Sequence, residues 1–305
     1  VVGIGIGLSG MIVVMGAVGK VAPPERRSTA FGVVTVAFSI GMFIMAPLLQ
    51  YLISVYGWSG ALQASGCLVL IISLLALGLP GKKSKTEKST ERETESVLTL
   101  LKTINGAMNH SGYLLLNVGF FVCGFHVAFI GTHLPSFLQS EGISINTASW
   151  ALAMIGLFNM FGSMIFGRMG DSLSKKNLLS LLYTLRAVVI AGFLAIPINE
   201  ITAIAFGAAI GFLWLATVPL TSGIVAQVFG TRYLSTLWAI VFFSHQLGAF
   251  LGVWLGGRVY DATGSYTPVW LASIALGLLA GIIHLPIREQ PWKPSALEPQ
   301  TSGSD

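Results

Sequence analysis

Long stretches of this chain contain no Asp, Glu, Lys or Arg: residues 1–19, 28–79, 113–140, 142–167, 201–231, 233–257 and 262–287. A helix in the core of a soluble protein shows polar residues every few positions, and these stretches do not. Runs of about 20 apolar residues are what a helix needs to cross roughly 30 Å of hydrocarbon. Turn and boundary residues cut the runs into nine predicted segments, at approximately 1–19, 28–55, 58–79, 112–138, 146–167, 177–197, 201–229, 234–259 and 267–287. The cuts fall at Ala22-Pro23-Pro24, Tyr56-Gly57-Trp58, Glu141-Gly142, Pro197 to Glu200 and Thr263-Gly264. Pro47, Pro135 and Pro219 lie inside segments, where neighbouring helices satisfy the carbonyls a proline frees.

Composition agrees with this. Of 305 residues, 54% are apolar and 10% charged, against about a quarter charged in a soluble domain. The cations are also sorted. Lys20, Arg26 and Arg27, then Lys82, Lys83, Lys85, Lys88, Arg92 and Lys102, then Arg168, Lys175 and Lys176, then Arg232, and finally Arg288 and Lys293 occupy alternate connections, 15 of the 17 Lys and Arg. The opposite connections hold Glu141, Glu200 and Asp261, with Arg258 as their cation. Such an asymmetry places the basic connections on the cytoplasmic side of a plasma (inner) membrane, with residue 1 outside. The net charge of +5 is thereby explained without a nucleic-acid partner. Residues 81–111, which mix Lys with Glu, Ser and Thr, form a solvated cytoplasmic linker. Within it Val97-Leu98 and Leu100-Leu101 suggest a short surface helix. The predicted organisation is three helices in 1–80, the linker, a six-helix bundle in 112–288 and a cytoplasmic tail in 289–305.

Shifting the sequence by 207 residues pairs Val21 with Val228, Ser28 with Ser235, Thr29 with Thr236, Gly41 with Gly248, Phe43 with Phe250, Leu48 with Leu255 and Gly57 with Gly264. One ungapped shift also superposes segments one to three on seven to nine. Segments four to six then lack counterparts ahead of residue 1, which predicts three further helices upstream, about a hundred residues, and twelve in two halves. On that expectation the present piece would not transport alone.

Between segments five and six stands Gly167-Arg168-Met169-Gly170-Asp171-Ser172-Leu173-Ser174-Lys175-Lys176. It resembles the G-x-x-x-D-(R/K)-x-G-(R/K)-(R/K) loop of the major facilitator superfamily, with Gly167, Asp171, Lys175 and Lys176 matching and Ser172 and Ser174 departing. The chain resembles that family over its whole length, from the fourth helix to the twelfth, which implies an all-α integral membrane fold with nine of twelve spans. Arg26 to Gly32, Ala46 to Leu49 and Tyr56 to Ala61 are similar to the monocarboxylate and oxalate/formate group. Where carriers of that group place an Asp and, four residues later, an Arg, this chain has Asn159 and Ser163, so proton–lactate symport does not carry over.

The candidate path residues are few. Arg186 lies about ten residues, roughly 15 Å, along its helix, where an ionisable group is a functional suspect; it either binds an anion or bonds to neighbouring carbonyls. His126 shares a face with His133, and His245 shares one with Trp238 and Gly252; each is a substrate or proton group, or a packed histidine. Trp214, Thr217 and Thr221 line one face of segment seven and suit a small polar or carboxylate solute, or the core. Asn159 and Ser163 form a polar stripe that Gly156 and Gly167 extend, as close packing also would. Gly248, Gly252 and Gly256 predict helix packing. Asp171 is expected near the start of segment two, where Arg26, Arg27 and the helix N-terminus present positive charge; with Lys175 and Lys176 it would gate the cytoplasmic side. Cys67 and Cys123 have no metal or disulfide spacing and are read as packing residues. Gly5 to Gly10 fits G-x-G-x-x-G without a preceding strand, so it is no nucleotide site. No nucleophile–base pair, metal cluster or cofactor motif stands out, and an enzyme is not expected. The expected function is secondary active transport of a small organic solute, a carboxylate-type anion, with H+ as a candidate coupling ion. The alternatives are a proton-coupled exporter, or a membrane sensor or assembly subunit with the same fold.

Overall fold

The computed structural model describes residues 11–77 and 90–292, with side chains for 14–19, 21–68, 70 and 99–292. The described residues are helical nearly throughout: α1 (Met11–Val21), a 3-10 turn (Pro24–Arg26), α2 (Arg27–Leu77), α3 (Thr90–Met108), α4 (Ser111–Ser140), α5 (Ile145–Ser172), α6 (Lys175–Ala195), α7 (Glu200–Leu213), α8 (Thr217–Phe229), α9 (Leu234–Thr263) and α10 (Thr267–His284). Residues 1–10 of the first expected segment, 78–89 at the end of the third segment and the start of the linker, and 293–305 of the tail lie outside the described residues.

Local chemistry sets the helix starts. The His110 Nδ1 accepts the Tyr113 N–H at the head of α4, and the Ser144 hydroxyl accepts the Thr147 N–H at the head of α5. Asn199 and Thr202 form a reciprocal capping box at α7. The expected break at Tyr56-Gly57-Trp58 is a single non-helical residue inside α2, Gly57 at φ 68° and ψ 175°. That left-handed φ costs a residue with a Cβ and suits glycine. Segments two and three are thus two helices that meet at a kink at Gly57; among the described residues, which omit residues 1–10 of segment one, seven stretches are long and apolar enough to cross a membrane, with segments two and three counted as one.

Segment seven is the reverse case, one expected helix that is interrupted. Pro219 has no N–H, and its ring crowds the carbonyl of the residue four before it, Leu215. The helix accordingly stops at Leu213 and restarts at Thr217. The repeat is visible in the backbone: α2 starts at Arg27 and α9 at Leu234, related by the 207-residue shift. The paired Gly57 and Gly264 take φ of 68° and 69°.

Lipid is as apolar as leucine, so helices in a membrane associate through close fit more than through apolar burial. α5 packs most extensively against α2 and α7, α4 against α9, and α6 against α10. Small residues set the distances. A Cβ on Gly156 would lie 2.6 Å from the Phe43 nitrogen, and one on Gly167 2.9 Å from the Ser28 carbonyl oxygen. On α9, a Cβ at Gly248 would collide with the Phe121 oxygen and one at Gly256 with the His133 ring, and at Gly252 it would lie 2.5 Å from the Phe125 oxygen. The aromatic core of this assembly is built on Trp238, Trp270, Phe120 and Phe129, all fully buried.

Candidate functional site

Two polar constructions interrupt the apolar packing. The first lies at the end that carries the basic loops. α2 begins after Pro23 and Pro24, leaving its first N–H groups without intrahelical partners and the positive end of its dipole open. Asp171, from the last turn of α5, fills that end. Its Oδ1 accepts the Ser28 N–H at 2.8 Å, and its Oδ2 accepts the Thr29 N–H at 3.1 Å and the Thr29 hydroxyl at 2.5 Å. Arg26 and Arg27, expected to supply positive charge here, do not hold the carboxylate: Arg26 is exposed, and Arg27 turns its Nη2 to the Ala22 oxygen at 3.5 Å. The helix end suffices, because two N–H groups aimed along the dipole match one carboxylate better than long flexible guanidinium arms do.

A second carboxylate repeats the device beside it. Ser174 precedes α6 without capping it; Glu289 instead accepts the Lys176 N–H at 2.6 Å and the Ser174 hydroxyl at 3.4 Å. The Lys175 ammonium donates to Gln227 at 2.8 Å and the Lys176 ammonium to the Leu285 oxygen at 2.8 Å. Arg27, Ser28, Asp171, Lys175, Gly223 and Gln227 thus surround a cavity of about 660 Å³ at the contact of α2, α5 and α8.

The second construction is the gap between α7 and α8. The Arg186 Nε and Nη2 donate to the Leu213 oxygen at 3.0 and 2.7 Å, and Nη2 also donates to the Trp214 oxygen. Asn159 accepts the Leu215 N–H at 2.8 Å and donates to the Ser39 hydroxyl of α2 at 2.8 Å, while Ser163 donates to Asn159 at 3.2 Å. The carbonyls and N–H that the break sets free are therefore taken by side chains from α6 and α5, as a dry interior requires. Around Arg186, the Cys123 thiol lies 3.5 Å from Nη1 and 3.3 Å from the Thr217 hydroxyl, and His245 approaches the same thiol. Cys123, read from sequence as packing, is thus a polar neighbour. Among the described residues no Asp or Glu side chain is buried, so Arg186, 1% exposed, has no buried counter-charge.

His126 stands apart from both constructions. Its Nε2 donates to the Ser273 oxygen of α10 at 2.8 Å, and its ring lies against Gly277, which puts it between α4 and α10. His133 donates to the Val253 oxygen at 2.9 Å. Trp214, Thr217 and Thr221 are buried at the gap and the first turns of α8. Sequence reasoning missed Ser28, Thr29, Ser39, Tyr183, Gln227 and Glu289. A signal existed for the first two, since Ser-Thr directly after Pro-Pro and two arginines marks a helix start.

A bundle of apolar helices with a carboxylate bonded to a helix head at one basic end and an interrupted helix in its interior defines a multi-pass membrane protein. The family model of the Major Facilitator Superfamily matches residues 1–221 and 116–302, and the chain belongs to that family. It is 26% identical to mouse (Mus musculus) monocarboxylate transporter 12 over 86% of this chain and 60% of that protein. It is 28% identical to rat (Rattus norvegicus) monocarboxylate transporter 13, over 86% and 60%. An uncharacterized transporter of the same superfamily from Bacillus subtilis (strain 168), YcxA, is 24% identical over 85% and 64%. The chain spans about 60% of the length of the curated relatives it matches. Family and relatives are those of transporters, not enzymes.

Proposed function

We propose that this protein moves a small carboxylate-type anion across the membrane by alternating access, with residues 1–80 and 112–288 as the two rocking bodies. The contact of Asp171 with the head of α2 carries this reading. It joins the two bodies at the basic, cytoplasmic end through three hydrogen bonds accepted by one side chain, beside a cavity and at the end of the close α2–α5 packing. Such a contact breaks as a unit, which is what a gate between two discrete arrangements needs. The names of the mouse and rat relatives support a monocarboxylate as solute. The uncompensated Arg186 charge supports an anion. Coupling to H+ or to a counter-solute supplies the energy.

Counterflow of radiolabelled monocarboxylates into proteoliposomes, with protein produced from its native reading frame, tests the reading. Saturable exchange of pyruvate or lactate is the expected result. Binding of these anions without flux would instead make the protein a sensor built on a transporter fold.

A further inference from the structure

We infer that the gap between α7 and α8 is the subsite that takes the carboxylate of the solute, an assignment that rests on the transport reading. Four observations meet there. The 13-residue α8 begins at Thr217 with Ala216 at its cap position and no side-chain cap, so the positive end of its dipole faces the gap unfilled. The Arg186 guanidinium, bound to the Leu213 and Trp214 oxygens, gets only partial charge from those carbonyls and no carboxylate from the described residues. A full charge at this depth without a counter-ion is costly. The Tyr183 hydroxyl, fully buried, faces Cys123 and Thr217 and makes no hydrogen bond of ordinary length.

The fourth observation is Thr221, one turn beyond Thr217. Ser222 returns its hydroxyl to the Val218 carbonyl four residues back, as helical serines and threonines do; the buried Thr221 hydroxyl makes no bond. Two hydroxyls without ordinary hydrogen bonds, an uncapped helix head and a cation held by carbonyls form a donor-rich site with no carboxylate of its own among the described residues. That is the complement of a carboxylate and a poor match for an amine or a metal ion. The site also bears on the gate. α8 is about 20 Å long, and its far end carries Gly223, Ala226 and Gln227 on the wall of the cavity beside Asp171. A carboxylate seated at one end of this rod thus acts on the gate at the other.

The test compares wild type with Y183F and T221V in proteoliposomes, using pyruvate and L-lactate as probes and lactamide as the uncharged analogue. Neither hydroxyl makes an ordinary hydrogen bond in the closed form, so both variants keep the wild-type Tm in detergent. Loss of one hydrogen bond to a charged group raises the KM for pyruvate roughly ten- to a hundredfold with maximal rate little changed, and competition by lactamide is not altered. Variants that retain the wild-type KM, or that alter lactamide competition equally, overturn the subsite while leaving transport standing. A wild type that exchanges no monocarboxylate at all removes the transport reading instead.

Discussion

Both polar constructions close a helix end with side chains from another helix, yet they differ in what surrounds them. At the head of α2, one carboxylate makes every bond, it comes from across the contact, and a cavity of about 660 Å³ lies beside it. At the gap between α7 and α8, two residues from two helices share the work, and Asn159 and Arg186 are both fully buried. Water reaches the first and can replace its bonds at modest cost. The second is buried in this arrangement, where each broken bond leaves a bare carbonyl or N–H. The first is suited to opening, while the second is costlier to break, its Asn159–Ser39 bond also spanning the two bodies.

That contrast can be broken in graded ways. Arg186→Met should do the most damage, removing the partner of two buried carbonyls at about 4 kcal/mol. The expected outcome is a large fall in the Tm of the detergent-solubilised protein, with little folded material recovered. Asp171→Asn should leave Tm nearly unchanged but weaken the closed contact by about 2 kcal/mol, since a charged acceptor becomes a neutral one. Maleimide labelling of a cysteine placed at Ala226, on the cavity wall, should accelerate roughly tenfold or more in a background free of Cys67 and Cys123. Gly167→Ala puts a Cβ 2.9 Å from the Ser28 oxygen. It should ease the same contact by about 1 kcal/mol through overpacking, giving a smaller rise in the same labelling rate.

The smallest effect concerns the head of α4. The His110 Nδ1 accepts the Tyr113 N–H, a role open only to neutral imidazole. Burial first, and Arg288 second, hold its pKa below the ordinary 6.5. A base with a depressed folded-state pKa contributes fully above the unfolded value and loses that contribution as pH falls through the folded one. Tm should therefore decline on acidification below pH 6.5, and His110→Asn, which caps at any pH, should flatten that decline.

The helices were legible because charge exclusion and loop charge are strong signals, and the shift of 207 residues anticipated the paired helix starts at Arg27 and Leu234 and the paired left-handed glycines Gly57 and Gly264. The interruption at 214–216 was not, although Pro219 stood in view, because a proline inside a membrane helix bends it as readily as it breaks it. Asp171 was legible as a partner for the head of α2 because a carboxylate and a helix N-terminus attract whatever the intervening chain. Its actual donors, Ser28 and Thr29, were less so, since Arg26 and Arg27 advertise charge more loudly. Nothing local marks Glu289 as the cap of α6, or Cys123 as a neighbour of Arg186; both depend on contacts between segments distant in sequence.

The claim on which the account turns is that Asp171 holds the basic end shut. Spin labels on cysteines at Glu25 and Arg168, both exposed, report the separation of α2 and α5 by pulsed electron resonance in the Cys67- and Cys123-free protein. A narrow short distance in the wild-type background, replaced in Asp171→Asn by a distribution dominated by a longer one, is the result predicted here. Identical distributions in the two proteins would contradict it.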